Sequence, residues 1–152
     1  MSSASQPQPI LLANYTVPSY LVIKTDLTFD LHDDETRVTA LLSLQRNPEA
    51  VRDVDLLVLN GSELELESIA LNDRVLNAAE YQVSGESLTL TGLPAELTLR
   101  IVTRIKPHLN TSLEGLYQSR GLYCTQCEAE GFRKITYYPD RPDVMSEFTT
   151  RI

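Results

Sequence analysis

The chain has 152 residues, with no tryptophan, two cysteines and two histidines. With His32 and His108 alone there is no H-E-x-x-H, and no Ser-His-Asp order with persuasive neighbours. P-loop and G-x-G-x-x-G fingerprints are missing, so no phosphate cradle is written in the chain. No apolar run approaches the roughly 20 residues of a membrane helix. Lys and Arg total 13 against 21 Asp and Glu, for a net charge of −8. Nucleic-acid binding needs a basic footprint, so the balance argues against it. The opening MSSASQPQPILLANY lacks the basic start and apolar stretch of a signal peptide, and residues 1–14 are expected to be a flexible tail. Two cysteines without a secretory signal point to a reducing compartment, taken as the cytoplasm.

What the chain does have is alternation. From Leu21 to Leu31 the odd positions are apolar or Thr and the even positions after Val22 are polar, which predicts a half-buried strand. His32–Glu35 reads as a turn, and Val38, Ala40, Leu42 and Leu44 as the inward face of a return strand. Further strands are expected from Val54 to Leu59, over Glu63–Glu67, in a hairpin from Tyr81 to Thr91, and from Leu97 to Ile105. Asn60-Gly61 reads as a hairpin turn, because both residues tolerate positive φ, and Asn72-Asp73 marks another turn. After Pro107 the alternation fades. Short strands are predicted near Gly115–Gln118 and Phe132–Tyr138, one helical turn over Asp143–Phe148, and the start of a strand at the last residues. The expectation is an all-β domain over 15–152, an antiparallel sandwich or curved sheet pair.

Three polar features compete for a functional role. Cys124-x-x-Cys127 has the spacing of half a zinc site or of a redox dithiol, but no second ligand pair and no following helix, so reduced thiols in a loop are the simpler reading. His32 with Asp33 and Asp34 fits a solvated turn better than a metal site. Gln126 and Glu128 share a side if their segment is extended, and together would make a carboxylate-and-amide clamp for a cation. The alternative is that both are exposed loop residues.

NTSLEGLYQS (Asn110–Ser119), CTQCEAEGFRKITYYPDRPDV (Cys124–Val144) and FTT (Phe148–Thr150) resemble the bacterial aminopeptidase N family of gluzincin zinc metallopeptidases. DLTFDL (Asp26–Leu31) with VTA (Val38–Ala40) and LNG (Leu59–Gly61) are similar to its N-terminal region. The resemblance implies a saddle-like β domain that comes first in a longer hydrolase and stops near the start of a catalytic domain. The family's zinc helix and its G-x-M-E-N loop would lie beyond Ile152, so Zn2+ belongs to the parent and no metal ligand or catalytic residue is expected in this segment, which alone would be inactive. The resemblance also implies that Glu128 binds the free α-ammonium of a peptide substrate, with Gln126 lining the same pocket. Expected partners are such peptides and the downstream catalytic domain, with neither nucleic acid nor membrane. The competing expectation is a stand-alone β-sandwich that binds a peptide or protein without catalysis.

Overall fold

In the computed structural model, which describes residues 11–50 and 55–152, β1 (Tyr20–Leu31) and β2 (Thr36–Arg46) form the hairpin that alternation predicts, joined through His32–Glu35. β2 buries Val38, Ala40, Leu42 and Leu44 as expected. β1 departs from its predicted phase. Val22 faces Leu44 and Lys24 faces Ser43, so Ile23 is an extra residue in the ladder. Such a bulge inverts every side chain on one side of it. Tyr20 and Val22 are therefore buried, while Leu21 and Ile23 are 37% and 44% exposed. After the bulge Thr25 and Leu27 point inward, as the odd positions should. Leu21-Val22-Ile23 is apolar in both phases, which hid the shift.

β3 (Leu56–Asn60), β4 (Glu65–Leu71), β5 (Arg74–Val75), β6 (Gln82–Val83), β7 (Ser87–Thr91) and β8 (Glu96–Ile105) follow. Val54, the expected start of the third strand, and the first ten residues of the expected tail lie outside the described residues. Leu12–Asn14 form one 3-10 turn. Near the end come β9 (Gly115–Ser119), β10 (Leu122–Gln126) and β11 (Glu147–Arg151). One sheet has the order β11-β1-β2-β8-β4-β5, a second β3-β7-β6, and β9-β10 make a separate ribbon. All pairs are antiparallel except β1 with β11. The all-β expectation holds.

Leu57, Leu59, Leu88 and Leu90 of the smaller sheet join Leu42, Leu99 and Ile101 of the larger one in a single buried cluster. Each such side chain contributes about 1.5–3 kcal/mol by leaving water. The Asn72-Asp73 turn is as predicted, with φ of 47° and 65°. The Asn60-Gly61 hairpin is not: β3 pairs with β7, and the chain crosses at Gly61 into the larger sheet. The glycine serves close approach instead, since a Cβ there would lie 2.2 Å from Cε1 of Tyr137.

The outer face of the larger sheet carries an ion network. Glu67 accepts from Arg37 Nε at 2.7 Å and from Arg104 Nε at 3.1 Å, and Arg104 also faces Glu35 at 3.3 Å. At one end of the sheet, Val38 and Ile105 meet Leu116 and Ile135 in a second buried cluster. That cluster seats the β9-β10 ribbon.

Two expectations past Pro107 fail. Phe132–Lys134 is a 3-10 turn, not strand, and only Tyr138 makes a bridge, to Asn60. Ile135, Thr136, Tyr137 and Tyr138 are all buried in succession, an irregular path that a one-faced strand cannot follow. Asp143–Phe148 is no helical turn either. A single bond from Val144 N–H to Arg141 O closes a turn, Ser146 Oγ then lies 2.8 Å from Thr25 Oγ1, and β11 begins at Glu147.

Candidate functional site

The β9-β10 ribbon turns at Arg120-Gly121, both at positive φ. This X-Gly pair is the local signal for β10, a strand where the sequence leads to a loop. Cys124 therefore sits on a strand, opposite Tyr117. β10 ends at Gln126, and residues 127–130 bend away from the ladder. The premise of an extended Gln126–Glu128 segment thus fails one residue after Gln126. The two residues meet another way: Gln126 Nε2 donates to the backbone carbonyl of Glu128 at 3.2 Å. Both side chains are exposed, and the Glu128–Ala129 peptide is cis.

The bend is closed at its base. Gly131 has φ of 140°, and a Cβ there would lie 3.0 Å from Gln126 O and 3.3 Å from Cys127 Cα. Only glycine suits both the backbone angle and the contact. Glu128, Ala129 and Glu130 project from this closed base.

Asp140 holds the base from beneath. It is 5% exposed, and its Oδ2 accepts from Gly131 N–H at 2.9 Å, Arg133 N–H at 3.2 Å and Arg133 Nε at 2.6 Å. A buried carboxylate is tolerable only when satisfied in this way. Its own N–H donates to Asn60 Oδ1 at 3.1 Å, and Asn60 exchanges two backbone hydrogen bonds with Tyr138.

The two glutamates of the bend differ. Glu130 is ion-paired to the Arg133 guanidinium. Glu128 has no ion-pair partner among the described residues. A carboxylate carried on an anchored bend, without an ion-pair partner among the described residues, is suited to an incoming cation.

The cysteines suit metal or redox work poorly. Cys127 is half-buried against the second core cluster, and burial, with Asp140 nearby, pushes its thiol above the usual range. A thiol kept protonated is a poor nucleophile and ligand. Among the described residues no three His, Cys, Asp or Glu side chains come together as a metal site. His32 faces Asp30 at 3.2 Å on an exposed turn. Beside the bend, Phe29, Tyr123, Cys127, Phe132 and Phe148 line an apolar groove of about 500 Å³ running along β11.

The family model described as Peptidase M1 N-terminal domain matches residues 17–152. The chain is 48% identical over 146 residues to aminopeptidase N of Caulobacter vibrioides, covering 96% of this chain and 17% of that protein. It is 46% identical to aminopeptidase N of Escherichia coli, covering 97% of this chain and 16% of the other. The crystal structure of Legionella pneumophila aminopeptidase A with aspartic acid superimposes with a TM-score of 0.84 at 31% identity, over 91% of this chain and 16% of that one. An M1 zinc metallopeptidase of Deinococcus radiodurans bound to a Tyr-Ser-Ala substrate shares the fold, with a TM-score of 0.69 at 17% identity over 87% of this chain and 32% of its own.

Proposed function

The chain belongs to the Peptidase M1 N-terminal domain family, and on that footing we propose that it is the first domain of a zinc-dependent aminopeptidase, in which Glu128 binds the α-ammonium of a peptide substrate and Gln126 lines the same pocket. The chain spans only about a sixth of the length of its aminopeptidase N relatives, so the reaction itself belongs to the longer protein. The observation that carries the reading is the contrast between Glu130, neutralised by Arg133, and Glu128, left free on a closed, anchored bend.

An aminopeptidase must fix the distance from a charged N-terminus to the first peptide bond. A carboxylate on a rigid base does this by orienting the substrate before reaction. The family's zinc, which polarises the carbonyl and activates water, would be held by residues outside this domain. The catalytic domain is the proposed partner, and the apolar groove along β11 supports a contact there. Two free thiols support a reducing, cytoplasmic setting, and retention of both as thiols in protein purified under air-free conditions would check it.

The decisive experiment is Glu128→Ala in the full-length enzyme. The KM for substrates with a free amine should rise by about ten- to a hundredfold, the scale of a lost charge-assisted bond, while the 152 residues alone hydrolyse nothing. An unchanged KM would remove Glu128 from the site. Tight binding of an amine-bearing peptide by the isolated domain would favour the stand-alone binding module instead.

A further inference from the structure

We propose that Asp140 is a positioning residue for substrate, acting through Glu128; the proposal rests on the clamp reading of that glutamate. Asp140 does not face the bend's tip. Its Oδ2 is spent on the N–H groups of Gly131 and Arg133 and on Arg133 Nε, which together form the base from which Glu128 projects.

A buried charge is a costly way to hold a surface bend. An apolar side chain of similar volume would often serve stability as well or better. What the carboxylate adds is direction: three donors from two residues converge on one oxygen and fix the bend's orientation. The anchor also continues inward. Asp140 N–H donates to Asn60 Oδ1, and Asn60 ends β3 and is tied by two backbone bonds to Tyr138, whose ring lies in the main core. Glu128 is thereby referenced to the sandwich and not to the bend alone.

Arg133 gives the arrangement a second effect. One guanidinium serves both Asp140 and Glu130. It sets the bend and at the same time withdraws the neighbouring glutamate from competition for a cation. Substitution of Asp140 would loosen both controls at once, and a misplacement of about 1 Å at a reacting substrate can cost a hundredfold in rate.

The test is a double-mutant cycle in the full-length enzyme, with Asp140→Ala, Asp140→Asn, Glu128→Ala and the two double variants. Asp140→Ala should raise KM for amine-bearing substrates about tenfold with kcat changed less, and Asp140→Asn, which keeps an acceptor, should recover part of the loss. In the Glu128→Ala background either Asp140 change should add little, because its route to substrate is gone. Equal factors with and without Glu128 would overturn the proposal and leave the clamp standing. Glu128→Ala with unchanged KM would overturn both. If thermal unfolding shows that Asp140→Ala does not fold, the isosteric Asp140→Asn carries the cycle alone, judged by the same coupling.

Discussion

The amide nitrogen of Gln126 donates to the carbonyl oxygen of Glu128, 3.2 Å away, and the amide oxygen is the atom Gln126 can offer a cation, since only an acceptor can meet one. It is neutral, and a neutral acceptor is worth roughly half a charged one. In the full-length enzyme Gln126→Ala should therefore raise KM by about three- to fivefold, well below the effect of Glu128→Ala. A larger effect than that of Glu128→Ala would reverse the two roles.

Gly61 is where the chain crosses between sheets, against the Tyr137 ring. Gly61→Ala should destabilise the domain by about 1–3 kcal/mol, the scale of overpacking in a tight site. Gly85, with nothing within 4 Å of its would-be Cβ and no positive φ, is the internal comparison. Gly85→Ala should be neutral or stabilising by about 0.4–1 kcal/mol. Urea unfolding of both variants gives the answer, and equal midpoints would refute the close-approach role of Gly61.

Arg37 first, and then Arg104, hold the Glu67 carboxyl below its ordinary value of 4.5. A carboxylate whose folded pKa is depressed stabilises the fold above its unfolded value and loses that contribution as pH falls through the folded value. Unfolding of wild-type protein and Glu67→Gln should thus differ most near neutrality and converge as pH drops below about 4.5. A gap that stays constant into acid would show that Glu67 contributes by packing and not by charge.

The sequence was most readable where burial is one-sided. In β2 the inward Val38, Ala40, Leu42 and Leu44 are legible from period two, and in β8 so are Leu97, Leu99, Ile101 and Ile105, but Val102 on the opposite phase of β8 is fully buried as well and period two misses it. It misled where a local signal had two physical causes. Asn60-Gly61 has the chemistry of a turn, but its glycine answers to a tyrosine distant in sequence. Leu21-Val22-Ile23 could be buried in either phase, so the bulge was invisible. Gln126 and Glu128 stood out by resemblance and by residue type, yet nothing local indicated that Glu130 would be tied to Arg133 or that Asp140 would be buried beneath them. Those contacts depend on the path of residues 132–140, of which 135–140 are buried in succession and follow no period.

β11 lies parallel to β1, with Thr25 opposite Phe148. On the ribosome β1 is made first, and its hairpin with β2 can close almost at once, but its other edge must wait for nearly the whole domain to be synthesised. At about 5–20 residues per second that is many seconds with the Lys24–Thr28 ladder unpaired. A bare strand edge will pair with any extended chain that reaches it. The hazard for this domain is therefore one of timing: its longest exposure to misassembly ends only when Arg151 has left the exit tunnel and β11 can lie down beside the first strand.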